Sequence, residues 1–248
     1  GYDSELDLVF VHNCGGVGQT NGDKQIDARQ FYLKLAQRLL HLFNTRTASG
    51  ILYELDTRLR PEGASGLLAI NIETFREYQL KQAWTWEHQA LVRARMTYGQ
   101  ASLHARFNEI RNEVLSRQRD EQKLREDVVK MRQKMRDHLI KGSGTEFDIK
   151  QGVGGMADIE FLAQYFVLKN AYAQPKITQY SDNIRIFASA AEHGFIEPLE
   201  KQQLTSAYCD YRELYHQVSL RQEAKLVSLE GVRNDVSAVT KIWQKYLA

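Results

Sequence analysis

The sequence predicts an α+β chain that is predominantly α, with a small mixed β-sheet domain over residues 1–105 and an α-helical bundle over residues 106–248. Three observations carry this expectation. Strand-like segments are confined to the first third: "ELDLVFVH" (5–12), "GILYELDTRL" (50–59) and "GLLAINI" (66–72), each bounded by Gly, Asn or Pro. From Glu73 onward the apolar residues recur at a period of 3.6 rather than two. Only three prolines, Pro61, Pro175 and Pro198, fall in 248 residues, which leaves room for long helices. A chain of this length is long for one compact domain and comfortable for two.

In order along the chain, "ELDLVFVH" predicts a strand that buries Leu6, Leu8 and Phe10 against helices. "IDARQFYLKLAQRLLHLFN" predicts a helix whose apolar face is Phe31, Leu35, Leu39, Leu42 and Phe43. The strand around Asp56 puts Tyr53 and Leu55 on the core side. "ETFREYQLKQAWTWEHQALVRARMTYG" begins the helical part, with Trp84 and Trp86 expected to pack between domains. The charged "RNEVLSRQRDEQKLREDVVKMRQKMRDHLIKG" predicts one long solvated helix, packed along the stripe Leu124, Val128, Met131, Met135 and Leu139. "KGSGTEF" (141–147) supplies a loop. "MADIEFLAQYFVLKNAY", "SDNIRIFASAAEHG", "PLEKQQLTSAYCDYRELYHQVSLRQ" and "DVSAVTKIWQKYLA" complete the bundle, with no internal repeat.

Composition excludes several classes. With 33 basic and 31 acidic residues the formal net charge is +2, which argues against a protein that coats nucleic acid. No stretch approaches the ~18 consecutive apolar residues of a membrane span, and no signal pattern opens the chain. Cys14 and Cys209 stand far apart and offer no zinc cluster; two such thiols fit a reducing, cytoplasmic setting.

The chemistry concentrates in the first strand. Glu5 and Asp7 alternate with Leu6 and Leu8, so both carboxylates lie on one face, roughly 6.6 Å apart along the chain. Ionised groups this close ask for a cation. In "YELDTRLRP", Glu54, Asp56 and Arg58 share one face, and if the two strands are neighbours Asp56 stands beside Asp7. Three carboxylates with oxygen donors suit Mg²⁺ or Mn²⁺, which bind substrate phosphates alongside protein. The plain alternative is solvated or ion-paired surface acids. Arg58 and Arg60 present planar forks suited to a triphosphate, or else salt bridges to Glu54 and Glu62.

Five stretches, "GYDSELDLVF", "RTASGILYELDTRLRPEGASGLL", "WTWEHQALVRARMTYG", "FDIKQGVGGMADIEF" and "YSDNIRIF", together resemble the glutamate–ammonia ligase adenylyltransferase family, over essentially the whole chain. The resemblance is closer to that family's C-terminal, adenylylating half, and through it to the DNA polymerase β-like nucleotidyltransferases. It implies that Glu5 and Asp7 are the acid-x-acid pair and Asp56 the third acid, acting as catalytic residues and as ligands of Mg²⁺ or Mn²⁺. Ser4, Arg58 and Arg60 are the implied nucleotide contacts. Relatives usually carry Asp where this chain has Glu5, one methylene longer. The Gly-Gly turn expected just upstream lies before Gly1, so the chain is expected to be a fragment.

The implied activity is transfer of AMP from ATP to a tyrosine of glutamine synthetase, controlling nitrogen assimilation, with a PII-type nitrogen-regulatory protein as a further partner of the full-length enzyme. The alternatives are phosphorolytic deadenylylation and an inactive docking module. No nucleic acid or membrane partner is expected.

The remaining features have plain readings. His88 has no second His or Cys at ligand spacing and reads as a surface or packed histidine. "GVGGMADIEF" is a weak phosphate-turn signal. Asp158 and Glu160 complement a helix N-terminus there, while Ile159, Leu162, Phe166 and Val167 face the core.

Overall fold

In a computed structural model, residues 5–15, 18–51, 53–139 and 146–248 are described. Helix dominates, as the sequence predicts. The chain divides into two compact units: a first that runs up to Glu87 and adds Met96–Ile110, and a second made of His88–Arg95 and Arg111–Ala248.

The first unit is built on two parallel strand pairs. Strand β1 (Leu6–Asp7) pairs with β3 (Leu55–Asp56), and β2 (Phe10–His12) with β4 (Ala69–Asn71). Parallel neighbours need a crossover, and helix α1 (Ala28–Asn44) lies between β2 and β3 in the sequence. Asp27 starts it, its carboxylate accepting the N–H groups of Arg29 and Gln30. Asn71 starts α2 (Ile72–Lys81) in the same way, accepting from the Glu73 N–H at 2.8 Å. Helices α3 (Thr85–Arg93) and α4 (Ala101–Leu115) follow. Phe107 of α4 meets Phe75 of α2 at 6.3 Å between rings, and Arg106 grips Glu73 through both oxygens at 2.6 and 2.7 Å.

Several expectations for this unit fail for one reason: a two-residue strand pair has little area to cover. Leu6 is 36 % exposed and Tyr53 45 %, while Leu8, Phe10 and Leu55 are half-buried. On α1 the inward face is Tyr32, Leu33, Ala36, Leu39, Leu40 and Phe43; Phe31, Leu35 and Leu42 are exposed. A helix this rich in apolar residues carries two candidate stripes, and packing selects the one centred on Ala36, whose small side chain allows close approach. Trp84 is exposed rather than packed, and Trp86 is half-buried.

The second unit is organised around α6 (Met156–Asn170), whose residues from Met156 to Leu168 are buried apart from Glu160. Around it stand α5 (Glu121–Leu139), α7 (Asn183–Glu192), α8 (Pro198–Leu220) and α9 (Leu229–Leu247). The stretch expected as one long helix is two, α4 and α5. Arg119 closes the end of α4 by donating to the carbonyls of Val114 and Leu115 at 2.8 and 2.7 Å, and Asp120 opens α5 by accepting from the Lys123 N–H at 2.7 Å. The α5 stripe packs as expected through Leu124, Val128, Met131 and Met135, but Leu139 is exposed and Arg132 is buried on that face.

Strands are not confined to the first third. Strand β5 (Glu146–Asp148) pairs antiparallel with β6 (Leu226–Ser228). Three residues each are too few to show alternation in a sequence, which is why neither was predicted.

The glycine loop before α6 is packed against protein. A Cβ on Gly154, whose φ is +79°, would lie 2.6 Å from the Val236 carbonyl oxygen, and one on Gly152 would lie 2.5 Å from the Phe147 ring. Asp148 accepts the N–H groups of Lys150 and Gln151, and the Tyr211 hydroxyl donates to the Gly154 carbonyl at 3.0 Å. These glycines serve close approach.

Candidate active site

The register of β1 with β3 sets the site. Leu6 faces Leu55 and Asp7 faces Asp56, and the ladder is closed by Leu6 N–H to Glu54 O and Leu8 N–H to Asp56 O, both 2.8 Å. In a parallel pair, facing residues point to the same side, so Asp7 and Asp56 share a face, and Glu5 joins them two residues upstream of Asp7. The sequence put Asp56 beside Asp7 on the condition that the two strands are neighbours, and they pair in that register.

Arg58 sets a positive charge against these acids. Its backbone N–H donates to Asp56 Oδ1 at 2.7 Å, its Nε to Oδ2 at 2.8 Å and its Nη2 to Oδ2 at 2.5 Å, while Nη2 lies 3.7 Å from Glu5 Oε2. The Asp56 side chain is only 12 % exposed, against 52 % for Glu5 and 72 % for Arg58. The Arg58 guanidinium therefore holds the Asp56 carboxyl below the usual carboxylate range, more than its burial raises it. The carboxylates of Asp56, Glu5 and Asp7 in turn hold Arg58 more firmly protonated.

Arg60 plays a different part. It donates to the carbonyls of Thr57, Ala64 and Gly66 and to the Thr57 hydroxyl, at 2.8–3.1 Å, and so ties the loop after β3 into one piece. Gly66 is required at the loop's close: a Cβ there would lie 1.9 Å from the Pro61 carbonyl oxygen. The ion-pair alternatives expected for these arginines ran to Glu54 and Glu62; the partners found are Asp56 and Glu5 for Arg58, and chiefly backbone carbonyls for Arg60. Ser4 lies outside the described residues.

Thus the structure brings Glu5, Asp7, Asp56 and Arg58 onto one face and puts Arg60 under the loop beside them. Among the described residues, no group of three His, Cys, Asp or Glu side chains stands arranged to hold a metal ion. No helix among them is long and apolar enough to cross a membrane.

The second unit contains a charged group that sequence reading understated. Asp158, 1 % exposed, accepts from Arg132 Nε at 2.6 Å, from Arg136 Nη2 at 3.1 and 3.2 Å, and from the Gly154 N–H at 2.7 Å. Arg132 adds the side chain and carbonyl of Gln151 at 3.0 and 2.9 Å. Asp158 does stand in the first turn of α6, but its main work is to compensate two arginines. The signal was present: Arg132 lies four residues beyond Val128 and eight beyond Leu124, on the packed stripe of α5. Glu160 pairs with Arg93 at 2.6 Å. His88 is packed, at 8 % exposure.

Comparison with known families gives two matches. Residues 1–110 match the family model described as Glutamate-ammonia ligase adenylyltransferase, which takes in every candidate site residue. Residues 118–241, half of the chain, match the model described as GlnD PII-uridylyltransferase, which takes in the buried Asp158 group and most of the helical unit. Both families are of nucleotidyltransferase type. Across half of its length the chain carries the domain that the PII-uridylyltransferase model describes, and its first 110 residues are consistent with a nucleotidyltransferase domain of the glutamate–ammonia ligase adenylyltransferase family.

Proposed function

We propose that this chain catalyses metal-dependent transfer of AMP from ATP to a tyrosine hydroxyl of glutamine synthetase, in the cytoplasm. The observation that carries the reading is the register of Asp7 against Asp56, with Glu5 on the same face. The donor chemistry is that of a hard divalent cation, carboxylate oxygens on one face, but with Arg58 on Asp56 the three acids are not gathered around a metal position, so the reading requires Arg58 to leave Asp56 when an ion binds. In this reading Glu5, Asp7 and Asp56 hold Mg²⁺ or Mn²⁺. When bound, the ion supplies neutralisation of charge on the nucleotide phosphates and makes the attacking phenol more acidic.

The chain's own residues do the rest. Asp56, the least exposed of the three acids, is ionised while Arg58 rests on it, and it is the carboxylate assigned to accept the phenolic proton once Arg58, which makes it a weaker base, turns away. Arg58 is exposed beyond its carboxylate partners and is the group able to turn to the triphosphate, a planar fork meeting phosphate oxygens. Arg60 fixes the loop from which Arg58 projects.

The test is incubation with labelled ATP, Mg²⁺ or Mn²⁺ and unmodified glutamine synthetase, followed by the adenylylated enzyme with phosphate. Label on a glutamine synthetase tyrosine supports the reading. Release of label with phosphate alone assigns the reverse, deadenylylating reaction, and capture of glutamine synthetase without either assigns a docking role. A PII-type partner belongs to the same proposal, and is supported by the description of the family matched by the helical half.

A further inference from the structure

The other chemically competent group of the first unit lies at the far end of β2, away from the carboxylates in sequence. The Cys14 sulfur is 2.9 Å from His12 Nδ1. The imidazole is fixed: it is 4 % exposed and stacked on the Tyr32 ring at 4.9 Å between centroids, 5° from parallel. The thiol end is held too, since the Cys14 carbonyl accepts from Asn71 Nδ2 at 2.9 Å, while the same amide's oxygen caps α2. Cys14 itself is half-buried.

We infer that Cys14 and His12 form a reactive thiol–imidazole pair, a site of covalent modification by peroxides and small electrophiles. A cysteine is a nucleophile as the thiolate, and an oriented neutral imidazole takes the thiol proton as the sulfur attacks. Burial, helped by the positive charge of Arg29, keeps His12 below its usual titration range and so neutral at pH 7; this weakens it as a base, and the pairing rests on the 2.9 Å contact and the fixed ring. With hydrogen peroxide the sulfur attacks one peroxide oxygen and the O–O bond breaks. The departing hydroxide takes the proton that His12 received, leaving Cys14 as the sulfenic acid and one water. The loop is tied through Asn71 to the start of α2, so a group added at Cys14 is felt in the strand pair β2–β4.

Cys209 provides an internal control: it is exposed and lies on α8 in the other unit. The whole chain is treated at pH 7 with limiting iodoacetamide, and separately with hydrogen peroxide and a dimedone trap, and each cysteine is quantified by peptide mass spectrometry. Cys14 is expected to react roughly tenfold faster than Cys209 despite its lower exposure, a modest part of what a positioned base contributes, because free thiols are already slightly ionised. The advantage should vanish in urea and in a folded His12→Gln chain. Equal or slower reaction of Cys14 in the native chain overturns the inference, whether or not His12→Gln folds. So does an advantage that survives in urea, since it would then belong to local sequence rather than to the pair.

Discussion

In the first unit Asp7 and Asp56 sit on paired two-residue strands and Glu5 just before the first of them, faced by an arginine that is 72 % exposed; in the second, Asp158 is 1 % exposed between Arg132 and Arg136. The apolar residues divide in the same way. Phe31, Leu35, Leu42, Ile51, Tyr53, Leu67, Trp84 and Tyr98 of the first unit are exposed, whereas α6 of the second is buried almost throughout. Under the proposed function, charges that exchange partners with a nucleotide need access to solvent, which Glu5 and Arg58 have. Charges that hold a loop against a bundle do not, and their loss leaves an uncompensated ion in a dry place.

The sharpest way to separate the two is to remove one carboxylate from each. If the proposed function holds, Asp7→Asn in the first unit lowers AMP transfer by at least about a hundredfold, since the proposal has Asp7 hold charge at the reacting phosphates. Its stability should change by no more than about 0.5 kcal/mol, as for other exposed substitutions. Undiminished transfer by the folded variant would remove Asp7 from the site. Asp158→Ala should do the reverse to stability, costing about 3–5 kcal/mol in urea unfolding because Arg132 and Arg136 keep their charge without the acid. A loss below about 1 kcal/mol would mean that Gln151 and water suffice to hold the two arginines.

Smaller effects sharpen the same contrast. Leu162→Ala, in the wholly buried part of α6, should cost about 2–5 kcal/mol, while Leu42→Ser on the exposed stripe of α1 should stay within about 0.5 kcal/mol. Gly154→Ala should cost about 1–3 kcal/mol from its left-handed backbone, with the clash against Val236 adding to it; circular dichroism melts of the three variants give the order directly.

How far these features were legible depends on what sets each one. That Glu5 and Asp7 share one face of their strand, and Asp56 and Arg58 one face of theirs, follows from a period of two, which a sequence displays; that the two faces coincide is set by the β1–β3 register. The choice of the Ala36 face of α1 over the Phe31 face follows from how much sheet there is to cover, and that is fixed only when β1 and β3 turn out to pair over two residues. The break between α4 and α5 was readable from Asp120 as a cap, but Arg119 folding back on the Val114 and Leu115 carbonyls is a side-chain event without a sequence period. Strands β5 and β6 find each other across some eighty residues of helix, and three-residue strands that distant leave no local pattern.

The smallest expected effect concerns pH and bears on whether Arg58 occupies the acids in solution. Arg58 lowers the Asp56 carboxyl below its usual value, so the unfolded chain, with an ordinary Asp of pKa about 3.9, takes up a proton at this position before the folded chain does. The stabilisation is therefore complete above that unfolded value and is lost as pH falls through the folded one, so the window lies on the acid side, below about pH 4. Screening by solvent keeps the effect small, because the guanidinium end of the pair is exposed, and added salt should shrink it further. In Arg58→Gln the slope of stability against pH should flatten in that window and stay unchanged between pH 6 and 8. Urea midpoints measured at pH 3 and pH 6 for both chains decide the matter: parallel behaviour would mean that the arginine does not rest on Asp56 in the free protein.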